Sequence, residues 1–370
     1  MRLVKLDQCP AGVKLGKSIY NENGAVLLAQ GTYLTNSLIE RLKQFHIFTI
    51  HIEDELSEGI EIVESIPEEL RIEAQNVITE GLNAIIELNT NSSNFQGMMK
   101  SGRAVRSMQK VFRDLLNSLN ENQTALNLLA TTKVYENYVY THSLNVSIYA
   151  CQLAIENGLP IPKIEEIGLA AMLHDLGKLH IPREIINKPG KLTDEEYALI
   201  KTHCEIGFDL VKQVHEIPIP VSHGALQHHE RIDGAGYPRG LKGEEIHKYA
   251  RIISVADVFD AVTSTRSYRQ ALLPHQGIEV LFGGYETQFE GKQVQLFKEC
   301  IAIYPPGLTV KLNDGRTAIV TKYNFNAVGR PEIRIIKDEE NQDIQPYEIN
   351  LGDPKHLILE IVEADALLNV

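Results

Sequence analysis

The chain changes its hydrophobic rhythm several times. In residues 1 to about 60 the apolar positions come in short runs, at 2–6, 25–28 and 48–52, punctuated by Gly12, Gly16, Gly24 and Gly31. That pattern predicts short strands joined by turns, with one helix over 35–44. From 66 to 88 the period becomes helical. Leu70, Val77, Ile78, Leu82, Ile85 and Ile86 recur at helix spacing. The polar stretch N-T-N-S-S-N interrupts it, and a second helical stretch runs over 95–119. From about 130 to 303 the chain reads as nearly all helix, with breaks at Asn157-Gly158-Leu159-Pro160, Ile181-Pro182 and Lys188-Pro189-Gly190. Thr193 and Glu196 make a capping-box signature that opens the helix containing His203. After Tyr304-Pro305-Pro306-Gly307 alternation returns in L-T-V-K-L, T-A-I-V-T-K-Y and E-I-R-I-I. N-D-G marks a hairpin between the first two.

These shifts divide the chain into a small α+β N-terminal unit (1–62), a helical linker or interaction region (63–128), a helical domain (129–303) and a small β-rich unit (304–370). The expected fold class is mostly α. The loop over 230–246, rich in Gly and charge, interrupts the helices without a structural need, and long loops inside compact domains are often functional.

Composition narrows the function. The chain has 370 residues, 43% of them hydrophobic and 23% charged, ordinary for a globular protein. A net charge of −13 argues against a DNA- or RNA-coating surface and against an anionic membrane. An anionic substrate then needs metals or clustered Arg and Lys to reverse the local field. No apolar stretch is long enough to span a membrane, and the N-terminus has no signal-peptide core. The four cysteines, Cys9, Cys151, Cys204 and Cys300, are far apart and fit reduced, cytoplasmic thiols. Cys204 lies beside His203 but reads as a small apolar packing residue. His46 and His51 stand alone and read as structural.

The chemistry gathers in the helical domain. A-A-M-L-H-D-L-G-K, at 170–178, places His174 and Asp175 inside an apolar run. His142, His203, His228, His229 and Asp257 also fall in buried-looking helical contexts. Asp260, one turn beyond Asp257, is a weaker candidate that could cap or hydrogen-bond locally. Burying five histidines and two aspartates is costly unless they are paired or bind metal. Imidazole and carboxylate are ligands of Fe, Mn and Zn, and the lack of cysteine disfavours a structural zinc site. Seven ligands suit two ions sharing a bridge, and Asp175 is the natural bridging carboxylate. Two ions roughly 3.5–4 Å apart can generate hydroxide and clamp a phosphoryl group, which is phosphoester hydrolysis.

The order H, H-D, D is similar to the HD phosphohydrolase superfamily. The stretch H-H-E-R-I-D-G-A-G-Y-P, at 228–238, resembles the signature of the HD-GYP subfamily. Y-T-H-S-L-N-V, H-D-L-G-K-L-H-I-P, K-T-H-C-E-I-G and A-D-V-F-D-A-V-T-S-T-R-S-Y-R match that family in order and spacing. The resemblance covers about 130–300 and implies an HD-type helical bundle that hydrolyses cyclic di-GMP to pGpG, sometimes to GMP. It implies His142, His174, Asp175 and Asp257 for the first metal, with Asp175 bridging to a second held by His203, His228 and His229. A hydroxide bridging the two ions would attack phosphorus. Lys178 resembles the family lysine that contacts the scissile phosphate. Arg266 and Arg269 suit a second phosphate, because guanidinium binds phosphate as a fork. In the loop, Gly234 and Gly236 admit backbone conformations other residues avoid, and Pro238 stiffens the exit. Tyr237 stacks on a guanine or orders the loop. Asp233 hydrogen-bonds Arg231 or holds the loop.

Some family members carry a glutamate four residues before the first histidine and bind a third metal. Here that position is Tyr138, with Glu136 further back, so two ions are expected, Fe or Mn first. The N-terminal unit resembles regulatory segments of the family, and the C-terminal β unit looks like an appendage of some relatives. Helices within 63–128 could form a homodimer or meet signalling partners. Two alternatives stand beside cyclic di-GMP hydrolysis: another cyclic dinucleotide such as cyclic GMP-AMP, or a cyclic di-GMP-binding signalling module with little turnover.

Overall fold

A computed structural model describes residues 1–21, 25–45, 47–90, 95–122, 126, 138–186, 188, 190–264, 271–324 and 326–364. Gly24, His46, Glu136, Pro189, Arg266 and Arg269, all singled out above, lie outside them, as does the side chain of Tyr138. The chain resolves into two compact units. The first takes the described residues of 1–65, 124–136 and 301–370, and the second those of 66–123 and 137–300.

In the first unit, β1 (Arg2–Lys5), β2 (Lys14–Leu15), β3 (Ile19–Tyr20), β4 (Val26–Leu28), α1 (Asn36–Gln44) and β5 (Thr49–Glu53) precede β6 (Thr309–Leu312), β7 (Thr317–Lys322), β8 (Glu332–Lys337), β9 (Asp343–Asn350) and β10 (Ile361–Ala364). Strands β1, β5 and β2 form one antiparallel sheet, β3 and β4 a ribbon, and β10-β6-β7-β8-β9 a five-stranded antiparallel sheet. Leu6, Leu15, Ile19, Leu34, Ile50 and Ile52 make the N-terminal core. Thr35 caps α1 by accepting from the Leu38 amide, as its position before the helical pattern requires. Asn313-Asp314-Gly315 turns β6 into β7, and Gly315 takes the positive φ (+94°) that the hairpin needs. The two ends of the chain meet inside this unit: the Leu3 amide donates to Gly307 O at 2.9 Å, and Arg334 donates to the carbonyls of Leu56 and Glu58.

The second unit is helical. Its elements are α2 (Glu68–Thr90), α3 (Phe95–Asn122), α4 (Tyr138–Glu156), α5 (Ile161–Leu173), α6 (Arg183–Ile186), α7 (Asp194–Lys201), α8 (His203–Lys212), α9 (Ile219–Gln227), α10 (Lys248–Thr263), α11 (Pro274–Gly283) and α12 (Gly291–Cys300). Helix α4 sits at the centre. It is buried on every side from Thr141 to Cys151, the mark of a helix enclosed by others. It packs on α5, α10, α12 and α2, while α9 packs on α8, α5 and α10. Tyr149, Phe259 and Phe297 lock α4, α10 and α12 together through edge-to-face rings at 5.0–5.8 Å. Each such buried aromatic contributes about 1.5–3 kcal/mol by burial alone. Helices α2 and α3 pack on one another and on α4 and α5. No helix among the described residues is long and apolar enough to cross a membrane.

Two expectations are corrected here. The run at 170–178 does not continue as one helix: α5 ends at Leu173, and Leu176–His180 form a tighter 3-10 turn. The capping box at Thr193 and Glu196 is present, but its helix stops at Lys201 and His203 opens a new one. At each break a side chain hydrogen-bonds a carbonyl three residues back, His174 Nδ1 to Ala171 O and Thr202 Oγ1 to Leu199 O.

Candidate metal centre

Five helices deliver the cluster. His142 comes from the second turn of α4, His174 and Asp175 from the end of α5, and His203 from the start of α8. His228 and His229 follow α9, and Asp257 comes from the middle of α10. The helix ends orient three of the rings. His174 Nδ1 donates to Ala171 O at 2.6 Å, His203 Nδ1 to Ile200 O at 2.6 Å, and His228 Nδ1 to Ala225 O at 2.9 Å. A carbonyl only accepts, so these Nδ1 atoms carry a proton and each ring turns its Nε2 inward.

Asp175 lies among them, 1% exposed, and its two oxygens divide the histidines. Oδ1 faces His203 Nε2 at 3.5 Å and His228 Nε2 at 3.7 Å. Oδ2 faces His174 Nε2 at 3.4 Å and His142 Nε2 at 3.6 Å, and takes the Lys178 ammonium at 2.6 Å. Asp257 Oδ1 lies 3.0 Å from His142 Nε2 and 3.9 Å from His174 Nε2, and its Oδ2 lies 4.0 Å from His229 Nδ1.

Charge is set against burial throughout. Burial disfavours a charged His142, yet hydrogen bonds to Asp257 and Asp260 outweigh it and push its pKa up to about 9. Burial would raise Asp175, but the Lys178 and His174 charges hold it well below the usual carboxylate range. Burial keeps His203 neutral, down to about 3, and lowers His228 and His229 as well.

These residues fit a cation. The Nε2 atoms of His203 and His228 stand 3.3 Å apart with lone pairs facing, an arrangement that a shared positive charge relieves. Two buried atoms, His174 Nε2 and Asp175 Oδ1, have no hydrogen-bond partner among the described residues. Three groups could each hold an ion with ligand atoms within 4.8 Å of one another: Asp175 with His203, His228 and His229; His142 with His174 and Asp175; and His174 with His228 and Asp257. Nitrogen and carboxylate donors without thiolate suit a divalent ion. All four cysteines are buried and free, and burial raises the Cys204 thiol.

The loop after His229 folds onto the cluster. Glu230, 3% exposed, accepts from the amides of Arg239 and Leu241 at 2.8 and 3.0 Å and so closes the loop on itself. Asp233 pairs with Arg231 at 2.7 Å and accepts from the Ala235 amide at 2.8 Å. Gly234 has φ +82°, as expected of a residue free of Cβ. Gly236 does not share that reason. Its φ is not positive, and it is needed because an added Cβ would lie 2.4 Å from Arg231 N and 2.6 Å from His229 O. Tyr237 lays its ring on His229, centroids 4.8 Å apart, and Pro238 follows through a cis bond.

Two residues carry more of the site than their sequence context signalled. Asp260 Oδ2 binds His142 Nδ1 at 2.7 Å, while its Oδ1 accepts from Asn145 at 2.8 Å and Ser264 at 2.9 Å. Its place one turn after Asp257, on the same buried face of α10, is the signal that was available. Glu230 directly follows the histidine pair, and only its burial distinguishes it from a solvated loop acid.

An all-helical unit with histidine, histidine–aspartate and aspartate converging on one centre resembles an HD domain, and H-H-E-R-I-D-G-A-G-Y-P resembles the HD-GYP signature. Residues 110–290 match the family described as HD domain, and residues 309–367 match the KOW domain associated with HD domain. Among curated proteins, the chain is 36% identical over 218 residues to cyclic di-GMP phosphodiesterase PA4108 of Pseudomonas aeruginosa, covering 59% of this chain and 52% of that one. It is 38% identical over 215 residues to the cyclic di-GMP phosphodiesterase response regulator RpfG of Xanthomonas campestris, covering 56% and 57%. It is also 39% identical over 144 residues to 3'3'-cGAMP-specific phosphodiesterase 1 of Vibrio cholerae, covering 39% and 33%. The chain thus spans about half the length of the first two relatives.

Proposed function

We propose that the protein is a metal-dependent phosphodiesterase that hydrolyses cyclic di-GMP to pGpG, sometimes to GMP. The observation that carries this is the division of the histidines by the two oxygens of Asp175. In this reading His142, His174, Asp175 and Asp257 hold one divalent ion and Asp175, His203, His228 and His229 a second, Fe or Mn. Bound there, the ions supply Lewis acidity and a nucleophile at neutral pH. The neutral rings of His203, His228 and His229 can take an ion without first losing a proton. His142 must give up the proton that Asp257 and Asp260 favour. Lys178, partly exposed and tethered to Asp175, meets a phosphoryl oxygen as negative charge builds there. Arg266 and Arg269 take the distal phosphate, and Asp233, Gly236, Tyr237 and Pro238 shape the approach of the nucleotide. The same reading places the protein in the cytoplasm and pairs two copies through α2 and α3.

The likeness to a phosphodiesterase named for 3'3'-cGAMP favours cyclic GMP-AMP as a second substrate reading. The test is hydrolysis of both dinucleotides by protein loaded anaerobically with Fe(II) or Mn(II), with metal assayed on the same sample. Turnover of cyclic di-GMP at about two metals per chain, lost in Asp175→Ala, is the expected result. Cleavage of cyclic GMP-AMP alone would replace the substrate. Two bound metals without turnover of either would point to a signalling module, and no bound metal would overturn the proposal.

A further inference from the structure

We infer that Lys201, seated between Tyr197 and Tyr237 at the mouth of the metal centre, reads the base of the bound nucleotide and favours guanine over adenine. The inference rests on the phosphodiesterase reading and deepens it by assigning what recognises the base.

The centre is closed on most sides. The rings of His142, His174, His203 and His228 are at most 1% exposed, whereas His229 and Lys178 keep 24% and 21% of their side chains in solvent. A ligand therefore enters past His229, and Tyr237 covers that histidine. Tyr197 meets Tyr237 edge to face, centroids 6.4 Å apart at 80°. Lys201 Nζ stands 4.4 Å from the Tyr197 ring centre and 5.4 Å from that of Tyr237, within cation–π range of both. Tyr197 and Lys201 are four residues apart on α7, so they share one helix face.

What sets the lysine apart among the described residues is its position over two rings, where Lys212 lies over one. Lys201 has no ion pair or hydrogen bond among the described residues. Two π faces hold its charge in place but accept none of its three N–H donors. The site so built offers an exposed aromatic face, Tyr197 being 44% accessible, beside a positioned donor. Stacking on the ring takes any base. The donor does not: guanine presents O6 and N7, two acceptors on one edge, while adenine presents N7 beside the N6 amino donor.

The test is equilibrium binding of 5'-GMP and 5'-AMP to the Mn(II)-loaded full chain, as wild type, Lys201→Met and Tyr197→Ala, with metal content checked on each sample. The wild type should prefer GMP by roughly tenfold, and Lys201→Met should lose that preference. Tyr197→Ala should weaken both nucleotides together. A wild type that binds the two equally, or a Lys201→Met protein that keeps the preference, overturns the inference. The ratio of kcat/KM for cyclic di-GMP over cyclic GMP-AMP should fall in parallel. If the holoprotein cleaves neither dinucleotide yet discriminates GMP through Lys201, the hydrolase reading fails and the base-reading role stands. If it cleaves both with a ratio that Lys201→Met does not move, the base-reading role fails alone.

Discussion

Asp260 Oδ2 lies 2.7 Å from His142 Nδ1, so a carboxylate that touches no other member of the cluster fixes the ring that faces Asp257 and Asp175. Its other oxygen is tied to Asn145 and Ser264, which makes Asp260 a rigid support. Replacing it by asparagine keeps the shape and removes the negative acceptor that sets the ring's tautomer and basicity. Asp260→Asn is expected to weaken metal binding by about 10–100-fold. Titration with Mn(II), followed by metal analysis, reads this directly, and unchanged affinity would show that Asn145 and the helix suffice to hold His142.

Metal removal should loosen the helical unit selectively. Without an ion, the lone pairs of His203 and His228 face one another at 3.3 Å, and Asp175 Oδ1 is buried without a hydrogen-bond partner among the described residues. An ion that binds only the folded state stabilises it by about 2.7 kcal/mol at a hundredfold excess over Kd. Calorimetry before and after chelation should therefore show the melting temperature falling on metal removal and returning with Mn(II). A transition indifferent to chelator would mean that the cluster holds itself together.

Gly236 should tolerate no side chain. Its added Cβ meets backbone atoms of Arg231, Glu230 and His229 at 2.4–2.6 Å, and backbone cannot swing aside as a side-chain end can. Gly236→Ala is expected to cost about 1–3 kcal/mol of stability and to displace Tyr237 from His229. Denaturant unfolding measures the first effect, and loss of nucleotide affinity the second. Gly234→Ala, strained through φ and meeting only the side chain of Lys242, at 2.5–3.1 Å, serves as the comparison.

His51, in the middle strand of the N-terminal sheet, gives the first unit its own pH dependence. Burial, with the Lys17 and N-terminal charges, lowers its pKa from 6.5 to about 3, and its Nδ1 has no hydrogen-bond partner among the described residues. The unfolded chain then binds a proton below pH 6.5 that the folded chain refuses. Stability conferred by the neutral ring is present above pH 6.5 and declines as pH falls toward 3. Between pH 7 and pH 5 the loss from this residue is about 2 kcal/mol. His51→Gln should flatten that slope in denaturant unfolding, and the His51 ring resonance should not titrate over this range. A ring that titrates near 6.5 would rule out the mechanism.

Much of the fold was legible because it is local. Apolar spacing located α2 and α3, the glycine of N-D-G placed the β6–β7 turn, and the Thr193–Glu196 box opened α7. The gathered histidines and aspartates were legible for a thermodynamic reason: seven titratable groups in apolar surroundings imply a purpose. The helix breaks after Leu173 and Lys201 were not, since apolar periodicity continues through them. The breaks leave His174 and His203 with Nδ1 on Ala171 O and Ile200 O and with Nε2 facing Asp175, a relationship set by residues from other helices. Gly236 was read as a conformational glycine, but its need comes from backbone three-dimensionally adjacent to it.

By itself, then, the sequence determined which residues are chemically costly to bury and where helices and strands can form, because these follow from side-chain polarity and short-range periodicity. Tertiary structure alone decided which oxygen of Asp175 serves which histidines, that Asp260 supports His142, and that the two ends of the chain build one unit. Those are relationships between positions far apart in the chain. They are fixed by how α4, α5, α8, α9 and α10 pack, and by which β strands find partners, and no local pattern encodes them.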